Sequence, residues 1–266
     1  MDYVAQFHRE TEALEAAVRR ELATGGEQAP LVPSCPGWSL SDLVMHLGSV
    51  QRYVIRLIEE RALSQPDSTD LTFLRFPGDA EGWPHPEQAP NRGRLPVGLL
   101  DWYVDGAARL ERLFATRDPR EPVWTWSSEQ TVGFWQRIQA IEAAVHRWDA
   151  ENAVGKPGPV ETLLAADAVT HTFRVMAPFR RALQRAPLGS GERMRFRQSD
   201  GAGIWIIQFE GDEILVNEGT ACCDVELTAT ASDLMLFLWQ RVPADHLEVR
   251  GDRSLLDRYF TLVPPV

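Results

Sequence analysis

Residues 135–151, WQRIQAIEAAVHRWDAE, decide how the chain is read. The stretch has no Gly or Pro and is rich in helix formers, which predicts one helix of about four turns. Ile138, Ile141, Ala144, Val145 and Trp148 recur at three- and four-residue spacing, as on one helix face. Glu142 and His146 lie four residues apart, so they stand one above the other on the same side of that helix. A carboxylate and an imidazole stacked in this way can both reach one divalent metal.

Working outward, the helix stops near Asn152-Ala153-Val154-Gly155 and is preceded by a connector, DPREPVWTWSSEQTVG. Before that, VGLLDWYVDGAARLERLFAT predicts a third helix. An earlier amphipathic helix is expected over residues 41–61, with Leu43, Leu47, Val50, Val54 and Leu57 recurring and Ser39 or Ser41 as its cap. His46 lies inside it among apolar neighbours. A first helix over residues 2–22 shows Val4, Phe7, Leu14, Val18 and Leu22 on one face and closes at Gly25 and Gly26. Residues 63–95 are irregular, and a loop of that length is expected to be a lid or otherwise functional. His85, in WPHPE, could approach a site from it, although a solvated loop residue is the simpler reading. Residues 1–157 therefore predict a four-helix bundle, and metal sites in bundles are built from side chains on facing helices. The third ligand would be His46.

After residue 157 the pattern changes. Residues 162–185 read as helix. MRFRQSD, GIWIIQFEGD, EILVNEG and DVELTATA read as strands between Gly and Asp turns. ASDLMLFLWQR reads as a helix capped by Ser232, HLEVRGD as a short strand and SLLDRYFTLV as a last helix. Residues 158–266 are thus expected to form a small α+β domain with an antiparallel sheet.

Composition excludes several function classes. The 266 residues are 44% apolar and 24% charged, as in a soluble globular protein. The net charge of −11 and the lack of a basic stripe argue against nucleic-acid partners. No run of about 18 apolar residues points to a membrane. The N-terminus has early charges and no apolar core, so a cytoplasmic location is expected. Cys35, Cys222 and Cys223 form neither a disulfide framework nor a C-x-x-C pair. The adjacent pair reads as small apolar fillers in a strand.

Glu-x-x-x-His is a weak motif by itself, and a lone histidine on an apolar face is more often a core residue. Here, however, the pair and His46 both sit in strongly apolar helices, where a carboxylate and an imidazole are costly unless paired or metal-bound. Asp149 could orient an imidazole as an outer-sphere partner, or pair with a nearby arginine at the surface. Two histidines and one carboxylate leave a fourth position open on zinc, the pattern of a catalytic site. That position can take water or a thiolate. Such a donor set also accepts Ni²⁺, Co²⁺ or Fe²⁺.

Two segments resemble a known family. PGWSLSDLVMHLGSV is similar to the G-W-[ST]-x-x-[DH]-L-x-x-H segment of the mycothiol-dependent maleylpyruvate isomerase family, within the wider DinB-like four-helix metalloproteins. WQRIQAIEAAVHRWDAE resembles the same family's R-x(4)-E-x-x-x-H-x-x-D segment. The resemblance implies His46, Glu142 and His146 as metal ligands, and a following small α/β domain related to sterol carrier domains. There LWQRVPADHLEVRGD resembles the family's arginine and G-D segment, so Arg241 is the implied contact to substrate or thiol. Two positions depart from the pattern: Ile141 stands where many members have histidine, and Gln240 where glycine is common. Members come mainly from actinobacteria, in keeping with a chain whose basic residues are arginine except for Lys156.

The resemblance implies a metal-dependent enzyme, with a divalent cation such as Zn²⁺ and mycothiol or a related low-molecular-weight thiol as cosubstrate. The thiol, activated as a metal thiolate, would add to a small electrophilic substrate, giving cis–trans isomerisation or S-conjugation. A thiol-independent metal hydrolase and a non-catalytic binding or regulatory protein are the alternatives. Trp38, Trp102, Trp135 and Trp148 point to an aromatic-lined pocket, although tryptophans at helical spacing more often belong to the core.

Overall fold

A computed structural model describes residues 1–217 and 222–264. The chain divides into two compact units, Met1–Gly158 and Pro159–Val266.

The first unit contains four long helices: α1 (Tyr3–Thr24), α2 (Leu40–Glu60), α3 (Val97–Thr116) and α4 (Val132–Ala153). Each start but one has a side-chain cap. Asp2 accepts from the Ala5 N–H, and Thr131 from the Phe134 N–H. Ser39, not Ser41, caps α2, in a reciprocal box with Asp42. Helix α1 ends on Gly25 at φ 71°, a left-handed position that glycine fills without strain. Helix α1 packs chiefly on α4, and α2 on α3. Leu14, Val18, Leu43, Leu47, Leu99 and Tyr103 meet in the core. Helix α4 is buried on nearly every side, polar residues included: Gln136, Gln139, His146, Arg147 and Asp149 are all inside. A buried Arg147–Glu10 ion pair of 2.8 Å ties it to α1.

The long loop is fastened to the bundle. It contains two 3₁₀ turns, Thr72–Leu74 and Pro86–Gln88. The Trp102 indole donates to the Leu74 carbonyl at 3.0 Å, and Trp83 meets Trp102 edge-on. Farther along, the Asn91 N–H donates to Asp42 at 2.9 Å, and Ser39 donates to the Asn91 carbonyl. His85 is exposed, and its Nδ1 accepts from the Glu87 N–H within a local turn.

The second unit begins with α5 (Thr162–His171), a π-helical turn (Thr172–Met176) and α6 (Ala177–Gln184). The expected single helix is interrupted because Pro178 has no N–H to offer the carbonyl four residues back, and the wider turn accommodates it. Five strands follow: β1 (Gly189–Gln198), β2 (Ile204–Gly211), β3 (Glu213–Asn217), β4 (Val225–Ala229) and β5 (Glu248–Gly251), with α7 (Ala231–Leu238) between the last two and α8 (Ser254–Leu262) at the end. The last two residues of the expected strand EILVNEG lie outside the described residues.

The sheet order is β3-β2-β1-β4-β5. It is mixed rather than antiparallel, because β4 runs parallel to β1, with Met194 opposite Val225 and Phe196 opposite Leu227. These residues, with Ile207 and Trp205 of β2 opposite β1, bury one face. Helix α7 is capped by Thr230, not Ser232; the Ser232 hydroxyl accepts instead from the Val160 N–H at 2.9 Å. Cys222 and Cys223 are not strand fillers. They precede β4, and Cys222 is exposed.

Candidate metal centre

Glu142, His146 and Asp149 line one side of α4, and His46 faces them from α2. Donor atoms of His46, Glu142 and His146 all lie within 4.8 Å of one another. His146 Nε2 is 3.4 Å from Glu142 Oε2. The His46 and His146 rings meet edge-on with centroids 5.2 Å apart.

The orientation of His146 is fixed from behind. Its Nδ1 is 2.8 Å from Asp149 Oδ2, and Asp149 is completely buried. Burial alone would push the His146 imidazole's pKa down; hydrogen bonds with Asp149, Cys35 and Glu142 outweigh it and raise it well above the usual histidine range.

A turn before α2 completes the surroundings. The Val32 N–H donates to the Trp38 carbonyl, the Trp38 N–H to the Cys35 carbonyl and the Cys35 N–H to the Val32 carbonyl, each at 3.0 Å. Gly37, at φ 84°, supplies the left-handed residue this reversal needs. The turn places the Trp38 ring 5.0 Å from His46 and 6.5 Å from His146, nearly parallel to the latter. It also sends Ser34 Oγ to Asp149 Oδ1 at 2.6 Å and Cys35 Sγ to Asp149 Oδ2 at 3.3 Å. Sequence reading singles out neither contact, since each joins residues more than a hundred positions apart.

The donor set fits a divalent cation. Metal–donor distances of about 2.0–2.2 Å in a tetrahedral site place two donors roughly 3.4 Å apart, which is the His146–Glu142 separation. A carboxylate behind the imidazole is the usual outer partner of a metal-bound histidine, keeping Nδ1 protonated and turning Nε2 toward the metal.

The remaining residues singled out from the sequence have their own surroundings. Of the four tryptophans, Trp38 is the one whose ring stands against the histidines. Trp102 covers Gly48 and carries the Arg52 guanidinium 4.0 Å above its ring. The Trp135 indole donates to the Trp124 carbonyl, and Trp148 is a buried core residue. Arg241, in the second unit, donates from Nη1 to the Trp239 carbonyl at 2.8 Å. It follows Gln240, whose φ of 60° is left-handed, a conformation that glycine adopts more readily.

These features define a class: a four-helix bundle presenting two histidines and a glutamate to one point, followed by a small mixed-sheet domain. The model of the mycothiol maleylpyruvate isomerase N-terminal domain matches residues 4–151, and that of the MDMPI C-terminal domain matches residues 164–258. The chain belongs to the mycothiol maleylpyruvate isomerase family. Two crystal structures share its fold. One is of the mycothiol-dependent maleylpyruvate isomerase (TM-score 0.59, 10% identity) and one is of a histidine-to-alanine mutant of it (TM-score 0.60, 12% identity). Each alignment covers 94% of this chain and 92% of the other. No curated protein sequence matches the chain. Among the described residues no helix is long and apolar enough to cross a membrane.

Proposed function

We propose that this protein is a metal-dependent enzyme using mycothiol, or a related low-molecular-weight thiol, as cosubstrate toward a small electrophile. The observation that carries this reading is the convergence of His46, Glu142 and His146 within 4.8 Å, in a chain of this family. When bound, a divalent cation supplies a Lewis-acid position at which a thiol loses its proton near neutral pH. His46, Glu142 and His146 would hold that cation, and three protein donors leave room for an outside sulfur. Asp149 keeps the proton on His146 Nδ1. Trp38 offers an apolar wall beside the two histidines.

The cosubstrate's sulfur would add to an electrophilic carbon of the second substrate. If the adduct rotates about the former double bond and expels the thiol, the net reaction is cis–trans isomerisation. If the adduct leaves intact, the reaction is S-conjugation. Arg241 is assigned to a carboxylate of substrate or thiol, which the planar guanidinium suits.

The test has two steps. Elemental analysis of purified protein is expected to find about one zinc per chain, and none in His146→Ala. Zinc-loaded protein is then assayed on maleylpyruvate, the substrate named for the neighbouring structures, with and without added thiol. Turnover that needs the thiol supports the proposal; turnover without it removes the thiol from the reading, and cleavage products formed with uptake of water make the protein a metal hydrolase. Arg241→Ala should keep its metal and raise KM, lower kcat, or both; unchanged kinetics would remove Arg241 from the assignment.

A further inference from the structure

We infer that Ser34 and Cys35 are positioning residues for the metal centre, acting on the buried Asp149–His146 pair. The inference rests on His46, Glu142 and His146 being the ligands.

Asp149 is fully buried, 0% exposed, so its carboxylate has no water and must be met by protein donors. Three meet it. Ser34 Oγ donates to Oδ1 at 2.6 Å, Cys35 Sγ donates to Oδ2 at 3.3 Å, and His146 Nδ1 donates to Oδ2 at 2.8 Å. An ionised carboxylate only accepts, so the hydroxyl, the thiol and the imidazole must each supply the hydrogen. Two of the three donors come from the turn before α2, not from α4. With both carboxylate oxygens fixed by that turn, the plane of Asp149 is set. His146 Nδ1 then stays on Asp149, and Nε2 stays turned toward Glu142. Without the turn's donors the Asp149 carboxylate is less firmly oriented, and its hold on His146 slackens.

A competing account makes the same contacts a mechanical clip that fastens the turn to α4 and leaves the metal centre indifferent. The two differ in what a mutation moves. A clip changes the thermal stability of metal-free protein. A positioning pair changes cation affinity.

Zinc dissociation constants are measured by competition with a chromogenic chelator, alongside thermal unfolding of the metal-free full chain. Ser34→Ala and Cys35→Ala are each expected to weaken zinc binding by roughly 10-fold, the low end for loss of an outer-sphere partner. Cys35→Ser, which restores a donor, should return affinity to within about 2-fold of wild type. The same chain with Cys222→Ser and Cys223→Ser, loaded with zinc, is also treated with methyl methanethiosulfonate. This reagent converts the Cys35 thiol to a methyl disulfide and releases methanesulfinic acid, removing the S–H donor from folded protein. Faster zinc release is expected, and this arm decides the matter if the alanine variants fail to fold.

Alanine variants that unfold earlier but bind zinc like wild type would overturn the inference in favour of the clip. A sulfur-to-cobalt charge-transfer band in Co²⁺-loaded protein, lost in Cys35→Ser, would overturn it by making Cys35 a ligand. Wild-type protein that takes up no zinc would overturn the metal reading and this inference with it. Zinc uptake unaffected by all three treatments overturns this inference alone.

Discussion

Two buried carboxylates of the bundle perform the same mechanical task in different company. Asp42, in the first turn of α2, receives the backbone N–H and hydroxyl of Ser39 and the backbone N–H and side-chain amide of Asn91. It closes the helix cap and pins the end of the long loop. Asp149, near the end of α4, receives Ser34, Cys35 and His146 and pins the turn before α2. The difference lies in the third party. Every donor to Asp42 is an amide or a hydroxyl of the cap and loop. Asp149 shares one oxygen with an imidazole whose other nitrogen faces Glu142. One device thus secures the fold at one place and reaches the proposed metal centre at the other.

Removing each carboxylate should separate the two roles. Asp149→Ala has the largest expected effect: zinc affinity falls by roughly 100-fold, the upper end for an outer-sphere partner. Its stranded donors also cost about 1–3 kcal/mol of stability, read as a lower urea midpoint. Asp42→Ala should cost about 1–2 kcal/mol as a lost cap, measured the same way, with zinc affinity unchanged. If zinc affinity fell with it, the two carboxylates would not be independent and the contrast would fail.

Acid sharpens the contrast further. Burial pushes the Asp42 carboxyl up, but hydrogen bonds from Asn91 and Ser39 outweigh it and hold the group below the usual carboxylate range. A carboxyl with a depressed folded value stabilises the protein above its unfolded value, about 3.9, and loses that contribution as pH falls through the folded one. The stability advantage of wild type over Asp42→Asn should therefore be full at neutral pH and shrink only below about pH 4. An advantage that did not change with pH would show that the ionised form is not what the cap uses.

The smallest effect belongs to the second unit. At the end of α7, the Gln240 N–H donates to the Phe237 carbonyl and the Arg241 N–H to the Leu236 carbonyl, the paired bonds of a Schellman ending. Gln240 holds the left-handed position, where a side chain is penalised. Gln240→Gly should raise stability by roughly 0.5–1 kcal/mol in urea titration, without altering zinc affinity.

These contrasts also show what a linear reading reaches. Glu142 and His146 are legible as a pair because four residues of one helix fix their separation. The four bundle helices are legible because their apolar residues keep a helical period. The parallel β1–β4 pairing is not, since nothing local in DVELTATA records which neighbour it will meet. Nor is the Ser34–Cys35 grip on Asp149. PSCPGW announces a turn, but only packing brings that turn to the far end of the bundle's last helix. The π-helical turn at Thr172–Met176 is legible in hindsight from Pro178, a residue that an uninterrupted helix over 162–185 should have ruled out.

Because helix α4 is buried on nearly every side, its backbone is shielded from solvent exchange. Amides of such a helix are expected to swap hydrogen for deuterium only when the whole unit opens. A cation that binds the folded state alone makes that opening rarer by the factor 1 + [M]/Kd. Deuterium uptake along α4 thus becomes a gauge of occupancy, reporting a colourless ion such as zinc through the slowing of ordinary backbone protons.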